Sequence, residues 1–127
     1  MKKVNLVLFL LFLLLLASCS GSSTYQGKWK ATDPSGNKFE IEFLPKSFSV
    51  KDSIGETKSY DYTQNSINVE NSVETYGIRL SDGRAYAIHF PIANDESVGV
   101  ILDGLGKPAY TICRADYRTI DNIYKLK

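Results

Sequence analysis

From Tyr25 onward, apolar and polar residues alternate in short runs that clusters of turn formers interrupt about every ten residues. Period-two alternation gives a strand one face for a core and one for water, so the pattern predicts antiparallel β structure. Phe39, Ile41 and Phe43 alternate with Lys38, Glu40 and Glu42, and Phe48 and Val50 with Ser47, Ser49 and Lys51. Tyr60 and Tyr62 alternate with Ser59, Asp61 and Thr63, while Tyr76, Ile78 and Leu80 lie opposite Arg79. Tyr86, Ile88 and Phe90 oppose Ala85, Ala87 and His89. Residues 98–102, Val-Gly-Val-Ile-Leu, are apolar on both faces, as in a strand covered on both sides.

Turn signals fall at Asp33-Pro34-Ser35-Gly36-Asn37, Ser53-Ile54-Gly55-Glu56, Gln64-Asn65, Asp82-Gly83 and Gly104-Leu105-Gly106. Asp82-Gly83 has the composition of a two-residue type I′ hairpin loop, which needs positive φ at both positions. The chain is therefore expected to be all-β: an antiparallel meander of about eight to ten short strands forming a barrel or a sandwich. Residues 116–127 fit two patterns. Tyr117, Ile120, Tyr124 and Lys127 share a helical stripe, with Asp121 and Lys125 spaced for an ion pair. Ile120, Asn122, Tyr124 and Leu126 would instead share a strand face. The expectation for this end is a short helical turn followed by a closing strand.

A different pattern precedes the meander. Met1-Lys2-Lys3 is followed by an almost unbroken apolar run over residues 4–16 and then by Leu16-Ala17-Ser18-Cys19. The run is shorter than the roughly 20 residues a bilayer span requires and ends in small residues, as a signal peptide does. Leu16-Ala17-Ser18-Cys19 closely resembles the lipobox of bacterial lipoproteins. The resemblance implies cleavage before Cys19, a thioether-linked diacylglycerol on its sulfur and an acyl chain on the new amino terminus. Several acyl chains make anchoring effectively permanent, where one gives only marginal binding. Ser20, where an Asp would retain the protein in the inner membrane, implies the outer membrane facing the periplasm. Residues 1–18 are thus expected to be a signal peptide, residues 19–24 the lipidated cysteine and a small polar linker, and residues 25–127 a single β domain.

Without residues 1–18 the chain keeps about 110 residues, enough for one core that buries roughly two-thirds of the unfolded surface. The 15 basic and 14 acidic side chains nearly balance. No clustered basic surface favours nucleic acid. With Cys19 acylated, Cys113 has no partner in the chain, and its place in Ala109-Tyr110-Thr111-Ile112-Cys113 predicts a buried thiol in a strand.

Gly27-Lys28-Trp29 opens the first strand after Tyr25. A Gly-x-Trp near the mature amino terminus, ahead of an antiparallel meander, resembles the start of lipocalin and other calycin-type barrels. The resemblance implies that Trp29 plugs one end of the barrel and that a basic side chain near the last strand, Arg114 or Arg118, lies across it, an arrangement cation–π attraction would support. Fold alone does not fix function.

Nothing in the inventory assembles a catalytic site. His89 is the single histidine and has no nearby triad partner in sequence. One His and one free Cys cannot form a spaced metal-ligand set, and Asn94-Asp95-Glu96-Ser97 lacks calcium-loop spacing. Glu40 and Glu42 beside Lys38 describe a polar strand face rather than a glycosidase pair. No catalytic residue, metal or cofactor is assigned.

The 8 tyrosines are the notable excess. Tyrosine joins a large apolar body to a hydroxyl that tolerates water, which suits a half-wet barrel interior or a contact surface. Tyr60, Tyr62, Tyr76 and Tyr86 are the candidate binding residues, expected to lie close together and partly exposed. Two functions follow from this: a non-enzymatic binding module that takes a small apolar ligand or docks an envelope protein, or a lipoprotein inhibitor or immunity protein that blocks an envelope enzyme such as a lysozyme. For the second, Ser81-Asp82-Gly83-Arg84-Ala85-Tyr86 departs from the Ser-Gly-x-x-Tyr element of membrane-anchored lysozyme inhibitors by the inserted Asp82, and the cysteines of that family are missing.

Overall fold

The computed structural model describes residues 20–120. Cys19, the segment before it and residues 121–127 lie outside the described residues. Eight strands follow in chain order: β1 (Gly27–Thr32), β2 (Lys38–Phe43), β3 (Ser47–Lys51), β4 (Thr57–Glu70), β5 (Val73–Leu80), β6 (Ala85–Phe90), β7 (Val98–Leu102) and β8 (Pro108–Cys113). Each pairs antiparallel with the next, and β8 returns to β1 through Lys30 with Cys113, Ala31 with Ile112 and Thr32 with Thr111. The result is a closed eight-stranded antiparallel barrel.

The interior follows from the alternation. Trp29, Ala31, Ile41, Phe43, Ile78, Ile88, Phe90 and Ile112 point inward and are almost wholly buried. A second, smaller cluster lies outside the wall, where Val98, Val100 and Cys113 are covered by Ile92, Leu102 and Ile120. Residues of β7 are buried on both faces for this reason: Ile101 belongs to the interior, and Val98 and Val100 to the outer cluster. Cys113 is free and buried, with its thiol 3.1 Å from Asp116 Oδ1. The expected helical turn and closing strand fall mostly outside the described residues, and among those described β8 already closes the barrel onto β1.

Two turns differ from expectation. Gln64-Asn65 is no turn; β4 runs through it with a bulge between Gln64 and Ser66. Gly77 sits opposite, where a Cβ would come within 2.2 Å of Ser66 Oγ and 2.7 Å of Asn65 Oδ1, so any side chain there would push the bulge's own side chains aside. The chain reverses only at Asn71-Ser72, both with positive φ (53° and 64°), the backbone of a type I′ turn.

Asp82-Gly83 does reverse the chain, but not as a two-residue I′ loop. Only Gly83 has positive φ (95°), while Gly83 N–H donates to Leu80 O at 3.0 Å and Leu80 N–H to Arg84 O at 2.8 Å. This is the three-residue loop that ends in a glycine bulge. The same hydrogen bonds recur at Asp33/Gly36/Asn37, Asp52/Gly55/Glu56 and Asp103/Gly106/Lys107. In those three, the Asp Oδ1 also accepts the backbone N–H groups two and four residues on, which holds the loop as an Asx turn. These four loops join odd to even strands and so share one end of the barrel, called the mouth. The opposite end, the floor, carries the amino-terminal segment and the β2–β3, β4–β5 and β6–β7 connections.

Candidate functional site

At the floor, the chain before β1 folds under the barrel. Gly21 is buried and its N–H donates to Pro45 O at 2.7 Å, and Ser22 N–H donates to Gln64 Oε1 at 2.9 Å. The segment expected as a linker is thus hydrogen-bonded to the barrel from Gly21 on. Tyr25 is fully buried, packs against Phe43 and Tyr76 at 5.3 Å each, and donates its hydroxyl to Gln64 Oε1 at 2.7 Å.

Trp29 lies above it, 2% exposed, with Nε1–H donating to Tyr25 O at 2.8 Å. The Arg114 guanidinium covers the indole at 3.6 Å from the ring centroid. It also donates to Lys28 O, Gln26 O and Thr24 O at 2.9, 2.8 and 3.3 Å, tying the last strand to the first. Gly27 makes room for this: its φ is +101°, and a Cβ there would lie 3.1 Å from Arg114 Nη1. Arg118 points elsewhere and pairs with Asp116 at 3.0 Å.

The mouth is a well. Its base is formed by Ile41, Phe43, Ile78, Leu80 and Ile101, and its walls by the half-buried Phe39, Phe48, Val50, Tyr60, Tyr86 and Tyr110, around a volume of about 210 Å³. Phe48 stacks on Tyr60 at 5.2 Å, and Phe39 meets Tyr110 edge-on at 5.3 Å, so the walls are aromatic pairs that hold each other's orientation. Arg84 lies over the Tyr60 ring at 5.3 Å, reaches Tyr86 Oη at 3.4 Å and pairs with Asp82 at 2.8 Å. Asp52, Glu56 and Lys58 complete a rim of mixed charge. Burial, reinforced by the nearby Tyr60, Tyr86 and Asp33, raises the Tyr110 hydroxyl above the ordinary phenol range.

The four candidate tyrosines therefore do not share one site. Tyr60 and Tyr86 line the well. Tyr62 and Tyr76 are floor residues, 3% and 5% exposed, whose hydroxyls donate to Leu44 O at 2.6 Å and Glu74 Oε2 at 2.7 Å. The reason is local: past Tyr60, β4 descends to the floor, where backbone oxygens and the folded-under segment satisfy a phenol. Tyr110, Phe39, Phe48 and Arg84 take their place in the well. Their period-two spacing is visible in sequence, but only barrel closure brings β2 and β8 to the same opening.

The remaining polar groups are dispersed. His89 lies on the outer wall, its Nδ1 hydrogen-bonded to Thr75 Oγ1 at 2.8 Å, and burial lowers its pKa. Asp95 of the β6–β7 connection accepts from Ser97 N–H and Oγ. Among the described residues no group of three or more His, Cys, Asp or Glu side chains could hold a metal ion. No family model matches this chain, and no curated protein or solved structure matches it either.

Proposed function

We propose that this is a lipid-anchored envelope protein, acylated on Cys19, whose barrel mouth is a non-enzymatic binding site for a small apolar or aromatic group. The observation that carries the binding reading is the half-buried aromatic well of about 210 Å³, open at one end of a barrel whose other end is plugged by Trp29 and Tyr25. The Trp29–Arg114 stack above a folded-under amino-terminal segment supports the calycin-like comparison. The anchor rests on Leu16-Ala17-Ser18-Cys19 alone.

The size of the well limits its occupant. A dry cavity of roughly 150 Å³ holds benzene, and drug-sized ligands occupy roughly 300–1,000 Å³. The well suits a single ring or a short branched chain rather than a long acyl tail. Burying about 150 Å² of such a group at about 25 cal/mol per Å² contributes about 4 kcal/mol, a millimolar affinity on its own. Tighter binding needs the polar rim, where tyrosine hydroxyls and the Arg84 guanidinium can engage a head group.

The barrel closes within residues 20–120, so a soluble form beginning at Ser20 keeps every strand. NMR titration with p-cresol, a neutral single-ring probe, should give saturable one-to-one shifts of the residues that line the well. Paired Tyr60→Ala and Tyr86→Ala changes should weaken it at least about tenfold. Binding that does not saturate, or that survives this double variant, would overturn the reading.

A second reading has its own support. Ile54 and Leu105 occupy the same position in two mouth hairpins and are 84% and 83% exposed, as apolar tips gripping a partner protein would be. This is the arrangement an inhibitor or immunity protein would use. Ile54→Ser with Leu105→Ser should leave probe binding intact and abolish capture of an envelope enzyme if that reading is correct.

A further inference from the structure

The barrel floor is the less conspicuous surface, but it exposes three apolar side chains at the end where the chain begins. Leu44 in the β2–β3 connection is 50% exposed, and Ile67 and Val69 in the lower half of β4 are 58% and 56% exposed. β4 has 14 residues where the other strands have between 5 and 8, and below the bulge its lower half pairs with β5 but no longer with β3, whose pairing ends at Asp61. Ile67 pairs with Tyr76 and Val69 with Glu74. Partners in an antiparallel pair share a face, so both apolar residues lie on the face that carries buried Tyr76, not on the outer wall.

The start of the described chain fixes what lies beneath. Gly21 is hydrogen-bonded to Pro45, next to Leu44, and Ser22 to Gln64, three residues before Ile67. An extended chain spans at most about 3.6 Å per residue, so the Cα of Cys19 lies within about 7 Å of that of Gly21. We propose that the barrel floor is a membrane-contacting face, with Leu44, Ile67 and Val69 seated in the interfacial layer of the bilayer that holds Cys19, and the mouth directed away from it. This rests on the lipid-anchor reading, because a diacylglycerol on Cys19 then leaves only Ser20 between the lipid and the clamped Gly21. No slack remains for the barrel to turn over. The orientation has a functional consequence: the well opens to the aqueous compartment, and its occupant is not drawn from the lipid directly below.

The test uses the full chain, matured in bacterial membranes and reconstituted into phosphatidylethanolamine–phosphatidylglycerol vesicles with brominated acyl chains. Ile67→Trp and Leu44→Trp report on the floor and Ile54→Trp on the mouth, each beside the buried Trp29 common to all. The added emission of both floor reporters should fall at least about twofold on brominated lipid, and that of Ile54→Trp should not change. Intact mass of the matured protein separates the two ideas. A mass without acyl chains defeats the anchor reading and this inference with it. Acylated protein whose floor reporters are unquenched, or whose mouth reporter is quenched equally, defeats the orientation while the anchor stands. A second copy covering the floor would leave the reporters unquenched and would count against the proposal.

Discussion

The floor and the mouth of this barrel are made from the same kinds of residue, aromatic rings with an arginine over one of them, yet one is sealed and the other is a well. At the floor, Arg114 stacks on Trp29 at 3.6 Å and its donors are used by backbone carbonyls of the folded-under segment and the start of β1. At the mouth, Arg84 lies 5.3 Å over Tyr60 and is engaged by Asp82 of its own loop. The difference is whether the chain passes beneath. Residues 21–26 fold beneath the floor, whose phenols find acceptors on Gln64, Leu44, Glu74 and Thr24, whereas the mouth hairpins turn on their own Asp and Gly residues and leave the rings half-covered. A tyrosine becomes core or contact surface according to what satisfies its hydroxyl.

The largest break in this comparison should come from Trp29→Ala. Truncating a buried Trp typically costs about 3–5 kcal/mol, a large part of the roughly 5–15 kcal/mol that stabilises a domain. Urea unfolding should show a correspondingly lower midpoint or no folded baseline. An unchanged midpoint would mean that the floor is not a plug.

The two arginines give the next contrast. Arg114→Ala removes a stacked, partly buried cation and strands the carbonyls of Lys28 and Gln26, at a cost of about 1–3 kcal/mol. Arg84→Ala removes a solvent-screened, exposed pair, and its loss should leave the midpoint nearly unchanged. Equal effects in thermal unfolding would erase the distinction between the ends. A smaller contrast of the same kind is Tyr62→Phe against Tyr86→Phe. The first leaves Leu44 O without its 2.6 Å donor, at about 1 kcal/mol, and the second should be nearly neutral for stability and weaken only ligand binding.

Much of this division was legible residue by residue, and the illegible parts have physical causes. Alternation in β2, β5 and β6 assigns the inward residues correctly because only one face of each strand is buried. The doubly apolar run of β7 signals a second cover, which residues after β8 supply through Ile120. Gln64-Asn65 misleads because turn-forming residues also suit a bulge, and the deciding contact is Gly77 on the facing strand. Asp82-Gly83 misleads in a smaller way: the composition of a two-residue loop also fits a three-residue loop, and the repeated Asp-x-x-Gly at Asp33, Asp52 and Asp103 is the better guide to the other three mouth hairpins. The tyrosines were the least legible. Tyr60 and Tyr62 lie on the same strand face yet at different heights in the barrel, which no local periodicity encodes.

The floor phenols and the mouth carboxylates should respond at opposite extremes of pH, with the smallest effects and the clearest sign. Tyr110 at the mouth shares the alkaline response, and Asp95 and Asp116 share the acid one. Burial raises the hydroxyl pKa values of Tyr25, Tyr62 and Tyr76 at the floor. A raised folded pKa means that the stabilisation is complete below the ordinary phenol value of about 10 and is lost as pH rises above it. At the mouth, burial opposes ionisation of Asp33, but hydrogen bonds from Asn37, Ser35 and Gly36 outweigh it and lower its pKa, while the Arg84 side chain lowers that of Asp82. A lowered folded pKa means that the stabilisation is complete above the ordinary value of about 3.9 and is lost as pH falls below it. Tyrosinate absorbance at 295 nm should therefore titrate in two steps, the floor phenols ionising above pH 10 only as the fold opens. Amide shifts of Ser35, Asn37 and Arg84 should move below about pH 4 while those of Gly21 and Ser22 stay fixed. His89, whose pKa burial lowers, adds a separate loss beginning below about 6.5, so the acid arm is best read in His89→Gln. If the amides of both ends move together in acid, the barrel responds as one unit and its ends are not independently secured.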